Sequence, residues 1–180
     1  GLSLNRGNRD ILFNLGIVYS ELNDFETAKK HYIQCVNINN NDLPAKLNLA
    51  NLYSRMEDYS KAEEIYRELE PLNQTIILKS YWSLLYFLRK YTEALSIIKK
   101  IISLEDNAAN KICLLKNYVS LRNYNEAVAL INELDIDNIE LNFLVAKNEY
   151  YAQNYYKSLE IQEKYLKHLE SNESTEYLDL

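Results

Sequence analysis

Asp24-Phe25-Glu26-Thr27-Ala28 is the stretch on which the fold turns, because it returns as Asp58-Tyr59-Ser60-Lys61-Ala62, Lys90-Tyr91-Thr92-Glu93-Ala94, Asn123-Tyr124-Asn125-Glu126-Ala127 and Asn154-Tyr155-Tyr156-Lys157-Ser158. Each copy sets a polar residue before an aromatic and an Ala or Ser three positions after it. Successive aromatics are separated by 34, 32, 33 and 31 residues. A fixed period in this range marks stacked helical hairpins, where a unit too small to bury its own apolar face buries it on its neighbour. A solenoid of this kind offers a long binding surface more naturally than a catalytic cleft.

Reading outward from each copy shows the unit. Downstream, Ala94, Ile97, Ile98 and Ile101 recur at helical spacing, so each copy opens a helix. Upstream, Leu12, Leu15, Gly16, Tyr19 and Leu22 place a second apolar stripe against it. The unit is helix, tight turn, helix. Pro44, behind an Asp42 N-cap, begins a helix, Pro71 ends the one finishing near Glu70, and Asn39-Asn40-Asn41-Asp42 reads as a turn between units.

These residues resemble the tetratricopeptide repeat. Counted from Arg9, the first unit has Leu12, Leu15, Gly16, Tyr19, Phe25, Ala28, Tyr32 and Cys35 at the hallmark positions, with Asn40 in place of the terminal Pro; the second, from Leu43, keeps Leu49, Ala50, Tyr53, Tyr59, Ala62 and Tyr66. The resemblance implies an all-α fold, a right-handed α–α superhelix of antiparallel hairpins. It also implies one solenoid domain over 1–180, a fragment of a longer repeat protein, with repeats near 9–42, 43–74, 75–107, 108–138 and 139–172. Trp82 and Leu115 stand where the family has a small residue, so those helix pairs are expected to be spread or rotated. In the fifth copy Ser158 replaces Ala and Glu149 replaces Tyr.

Composition narrows the function. The three glycines, Gly1, Gly7 and Gly16, all lie near the start, which leaves no glycine-rich phosphate loop further along. No apolar run approaches the roughly 20 residues of a membrane helix. Cys35 and Cys113 sit in apolar stripes of different repeats and read as buried thiols, which leaves the compartment open with an intracellular, cytoplasmic setting favoured. His31 and His168 are the only histidines and have no ligand partners at helical spacing, so no metal, cofactor or catalytic residue is expected. The carboxylates Glu57, Asp58, Glu63, Glu64, Glu68 and Glu70 interleave with Lys61 and Arg67 as a solvated helix face. Sixteen tyrosines invite a nucleobase-stacking reading, but most fall on structural positions of the repeat, and a net charge of −6 opposes phosphate binding.

What remains is a face for another protein. The resemblance implies that the first helices line a concave groove, and its positions give Asn51, Arg55, Lys79, Ser83, Tyr86, Lys116, Phe143, Lys147, Tyr150 and Tyr151 as partner-binding residues. Arg55, Lys79, Lys116 and Lys147 face Glu140 alone, a net positive stripe on an acidic chain that suits an acidic, partly apolar segment. The plain alternative is that these lysines only solubilise an exposed face. A chaperone's C-terminal tail is disfavoured: of Phe13, Ile17, Asn48, Ile76 and Ser80, at the positions of the family's carboxylate clamp, only Asn48 matches. The expectation is a non-enzymatic scaffold or adaptor. The alternatives are a regulatory or targeting repeat domain of a larger, enzymatic protein, and a module that self-associates through its terminal repeats.

Overall fold

The hydrophobic period of 3 to 4 residues, interrupted every dozen or so by a turn, produces helices throughout the described residues. The computed structural model describes residues 2–134, 139–151, 153–159 and 162–163; within these, the side chains of residues 2–6, 124, 128, 132 and 139–144 lie outside the description. Among the described residues there is no strand. The chain divides into two compact units, Gly1–Leu88 and Arg89–Leu180.

The first unit holds α1 (Leu2–Glu21), α2 (Phe25–Ile38), α3 (Leu43–Arg55), α4 (Tyr59–Leu69) and α5 (Thr75–Phe87), with a 3-10 turn at Glu70–Leu72 that contains Pro71. Each helix packs on the next, and α3 also touches α5. Asp24, Asp42 and Asp58 cap α2, α3 and α4, their carboxylates accepting from the amides of Thr27, Ala45 and Lys61. Ala28, Tyr32, Leu49 and Leu52 form a buried cluster that Phe13, Tyr19 and Phe25 enclose. Gly16 is required there: a Cβ on it would lie 2.6 Å from the ring of Tyr32.

At one and the same repeat position, burial depends on whether a second helix precedes the residue's own helix. Ile77 is fully buried, whereas Ile11, at the same position of the first repeat, is 60% exposed. Leu52 and Leu84 are buried, and Val18, their counterpart, is 53% exposed. Later first helices are covered by the second helix before them, α2 on α3 and α4 on α5.

The second unit holds α6 (Tyr91–Leu104), α7 (Ala108–Leu121), α8 (Tyr124–Glu133) and α9 (Ile139–Tyr151), followed by helical residues at 155–159. α7 lies against both α6 and α8, and α9 touches α7 and α8. The small residue of the motif is buried in every copy, at Ala28, Ala62, Ala94, Ala127 and Ser158. Leu115 is wholly buried in α7, while Trp82 of α5 is half-buried.

Both departures of the fifth copy have a local cause. The Ser158 hydroxyl donates to the carbonyl of Ala146 at 2.8 Å, so a polar atom at a buried position keeps a partner. Glu149, 3% exposed, accepts from Lys157 Nζ at 2.7 Å and Asn154 Nδ2 at 2.8 Å. Burial opposes its ionisation, but these two donors outweigh it and hold the carboxyl below the ordinary glutamate range.

The turns share one backbone device. Asn23, Glu57, Arg89, Arg122 and Gln153, each two residues before the motif aromatic, all have φ between 60° and 66°. The next amide closes back over the helix end, as from Asp24 to the Tyr19 carbonyl at 2.9 Å and from Asn154 to the Glu149 carbonyl at 2.8 Å.

Candidate functional site

In the first unit, α3 and α5 flank a cleft of about 590 Å³. Asn51, Ser54 and Arg55 line it from α3, at i, i+3 and i+4 on one helix face. From α5 come Lys79, Ser80, Ser83, Leu84 and Phe87. Tyr59 and Tyr66 reach it from α4. Four residues singled out in the sequence, Asn51, Arg55, Lys79 and Ser83, thus meet around one space.

Tyr66 organises the floor. Its hydroxyl donates to Asn51 Oδ1 at 2.5 Å, and its ring stacks on Tyr81 at 5.5 Å. Burial pushes this hydroxyl up to about 12, against the opposing pull of Ser80 and Ser54, so it remains a proton donor across the physiological range. With Oδ1 engaged by Tyr66, the Asn51 amide keeps its N–H donors for other acceptors. At the other end Tyr59 and Phe87 lie 5.5 Å apart at 50°, and Phe87 is 66% exposed.

Arg55 has a second commitment that its sequence position does not reveal. Its guanidinium donates to Ser20 Oγ at 2.8 Å and Asn23 Oδ1 at 3.0 Å, and lies 4.7 Å from the centre of the Phe25 ring. It therefore ties α3 to the turn between α1 and α2 while also lining the cleft. Tyr86 does not line the cleft and stacks on Trp82 at 5.2 Å.

In the second unit Lys116 is half-buried on α7 and Lys147 is exposed on α9, its ammonium 5.9 Å from the Tyr151 ring centre. Tyr150 is exposed and meets Tyr151 and Tyr155 edge-on at 5.7 and 5.5 Å. The side chains of Phe143 and Glu140 lie outside the described residues. Among the described residues, no three His, Cys, Asp or Glu side chains gather as a metal site, and no helix is long and apolar enough to cross a membrane.

Sequence reasoning missed Tyr59 and Tyr66, which it assigns to holding the repeat together, along with Ser80 and Leu84. For Tyr59 and Tyr66 the signal was their place on the second helix α4, which packs against both neighbouring first helices; Ser80 and Leu84 lie on the first helix α5, one residue after Lys79 and Ser83 respectively.

Residues 20–85, which hold all of the cleft lining except Phe87, match the family model of the tetratricopeptide repeat. Over residues 20–85 the chain is a tetratricopeptide repeat segment. Solved structures share the fold at low identity. A tetratricopeptide repeat protein from Parabacteroides merdae is 17% identical, with 91% of this chain and 67% of that one covered at a TM-score of 0.83. YrrB, a tetratricopeptide repeat protein with an unusual peptide-binding site, is 17% identical over 87% of this chain and 84% of its own, at 0.73. The MamA protein is 15% identical over 93% and 94%, at 0.80. No curated protein matches the sequence. The fold class is thus that of the tetratricopeptide helical solenoids, all-α among the described residues.

Proposed function

We propose that this chain is a non-enzymatic scaffold that binds an acidic, partly apolar segment of another protein on the face of its first helices, with the α3–α5 cleft as the seat in the first unit. One observation carries the reading. The cleft lining contains two cations and no carboxylate, on a chain whose net charge is −6, and sets them beside exposed aromatic carbon. Charge of one sign concentrated in a concave space raises the encounter rate of an oppositely charged partner, while aromatic side chains supply contact area. Support also comes from YrrB, a protein of this fold with a peptide-binding site. In the second unit Lys116, Lys147, Tyr150 and Tyr151 offer the same chemistry by themselves, and Phe143 joins the proposal on its repeat position.

Selection of random peptides displayed on phage, against the purified chain, tests this directly. The expected outcome is a consensus rich in Asp or Glu with aromatic or aliphatic residues, whose affinity falls with salt and with Lys79→Glu. Peptides of basic consensus, or peptides indifferent to Lys79→Glu and displaced by changes at exposed second-helix residues such as Glu64 and Lys99, would put the binding surface on the other face.

A further inference from the structure

The wall that α5 gives to the cleft changes character along its length. Lys79, Ser80 and Ser83 come first, and Leu84 and Phe87 follow. Their spacing keeps all five on one side of the helix. At about 1.5 Å of rise per residue, the centres of the polar and apolar groups lie about 7 Å apart. Across from them, Asn51 is held by Tyr66 with its amide donors available, and Tyr59 stands beside Phe87. The cleft therefore presents donors and positive charge at one end and the surface of a contacting aromatic pair at the other.

An extended peptide returns to the same side every second residue, a repeat of about 6.6 Å. That matches the separation of the two ends. A helical ligand fits less well: with side chains it is about 10 Å across, and its backbone groups are already paired internally. The Ser54 hydroxyl already donates to the Ala50 carbonyl at 3.1 Å, but the neutral hydrogen-bonding groups of Asn51, Ser80 and Ser83 would then find no main-chain partners on the ligand. Extended backbone, in contrast, brings unpaired N–H and C=O groups that such side chains can serve.

Resting on the peptide-binding reading above, we infer that the cleft recognises an acidic residue and a bulky apolar residue two positions apart on an extended segment. The carboxylate sits at Lys79, Ser83 and the Asn51 amide, and the apolar side chain packs on the exposed surface of the contacting Tyr59 and Phe87 rings. Tyr66 is a positioning residue, since it acts through Asn51.

Titration of the isotope-labelled chain with synthetic nonapeptides, followed by amide and Asn51 side-chain NMR shifts, tests the spacing. The peptides are acetylated and amidated, and each carries one Glu and one Phe, in either order, at a separation of one, two or four residues in a Gly/Ser background. Separation two should bind about fivefold or more tighter than the others, and Glu→Gln in that peptide should cost about five- to tenfold. Lys79→Gln, at an exposed position, should abolish the distinction between the Glu and Gln peptides, and Phe87→Ala the distinction between Phe and Ala. Affinity independent of spacing, a preference for separation four, or an unchanged Glu/Gln ratio in the Lys79→Gln protein would overturn the inference. So would a phosphoserine peptide binding about tenfold tighter than its Glu counterpart, since the anion would then be a phosphate. If phage-selected peptides bind without moving any cleft resonance, this inference falls while the scaffold reading stands; if no peptide is selected at all, the scaffold reading falls with it.

Discussion

Arg9 grips both carboxylate oxygens of Asp42, Nε to Oδ2 and Nη2 to Oδ1, each at 2.5 Å. The same carboxylate caps α3 by accepting from the Ala45 amide at 3.2 Å, and its side chain is only 2% exposed. One residue thus anchors the start of the second hairpin to the first. Burial pushes the Asp42 carboxyl up, but the Arg9 and Ala45 hydrogen bonds win and hold it below the usual aspartate range. A lowered folded-state value means that the stabilisation is present above the unfolded value near 3.9 and fades as pH falls through the folded one. Asp42→Ala should therefore cost about 2–4 kcal/mol in urea unfolding at pH 7, from the lost pair and the lost cap. The gap between variant and parent should narrow below about pH 4. A constant gap down to pH 2.5 would mean that the ion pair contributes nothing.

Among the described residues six other than glycine have positive φ, five of them in the turns before the motif aromatics, and three of these five are Glu57, Arg89 and Arg122. Left-handed backbone costs a residue with a Cβ about 1–2 kcal/mol, partly offset by the extra unfolded-state entropy of glycine. Glu57→Gly and Arg122→Gly should each stabilise by about 0.5–1 kcal/mol, whereas Asn23→Gly should be nearly neutral because Asn tolerates this region. Urea midpoints of the three variants check it. Destabilisation by the first two would contradict the turn geometry.

These turns also show where sequence reading stops. The period was legible because packing demands a small residue at each crossing, and Ala28, Ala62, Ala94 and Ala127 announce it. The turn conformation left no mark, since no glycine occupies it. The double role of Arg55 was hidden for a different reason. Its partners Ser20, Asn23 and Phe25 lie one repeat back, and only a rotamer choice brings the guanidinium to them. Glu149 read as a departure from pattern until Lys157, eight residues on, supplied the charge that justifies its burial. Repeat positions named Asn51, Arg55, Lys79 and Ser83 for the cleft, because equivalent positions on α3 and α5 face the same space. They passed over Tyr59 and Tyr66, the first half-buried and the second fully buried, because both read as packing residues of the second helix.

Ile11 and Ile77 occupy one repeat position in opposite environments, 60% exposed and fully buried. Ile11→Lys should change stability by no more than about 0.5 kcal/mol, as surface substitutions do. Ile77→Lys must bury an ammonium without a partner, and should cost about 4 kcal/mol or more or abolish folding. Thermal melts of the two variants, followed by far-ultraviolet circular dichroism, separate them. Equal losses would show that the outward face of α1 is covered in solution.

Gly16 sets two effects of opposite sign against each other. Alanine favours the helix by about 1 kcal/mol over glycine. Yet its Cβ would stand 2.6 Å from Tyr32 Cε1 and 2.8 Å from Cδ1, against a ring that is 2% exposed. Overpacking of this kind costs about 1–3 kcal/mol, so Gly16→Ala should destabilise on balance despite its better propensity. Tyr32→Leu alone should also destabilise, by removing buried aromatic surface. In the double variant the clash is gone and the helix gain survives, so Gly16→Ala should become neutral or stabilising once Tyr32→Leu is already in place. A double-mutant cycle by urea unfolding measures that sign change. If Gly16→Ala costs the same with and without the tyrosine ring, the close crossing of α1 and α2 is not what requires the glycine.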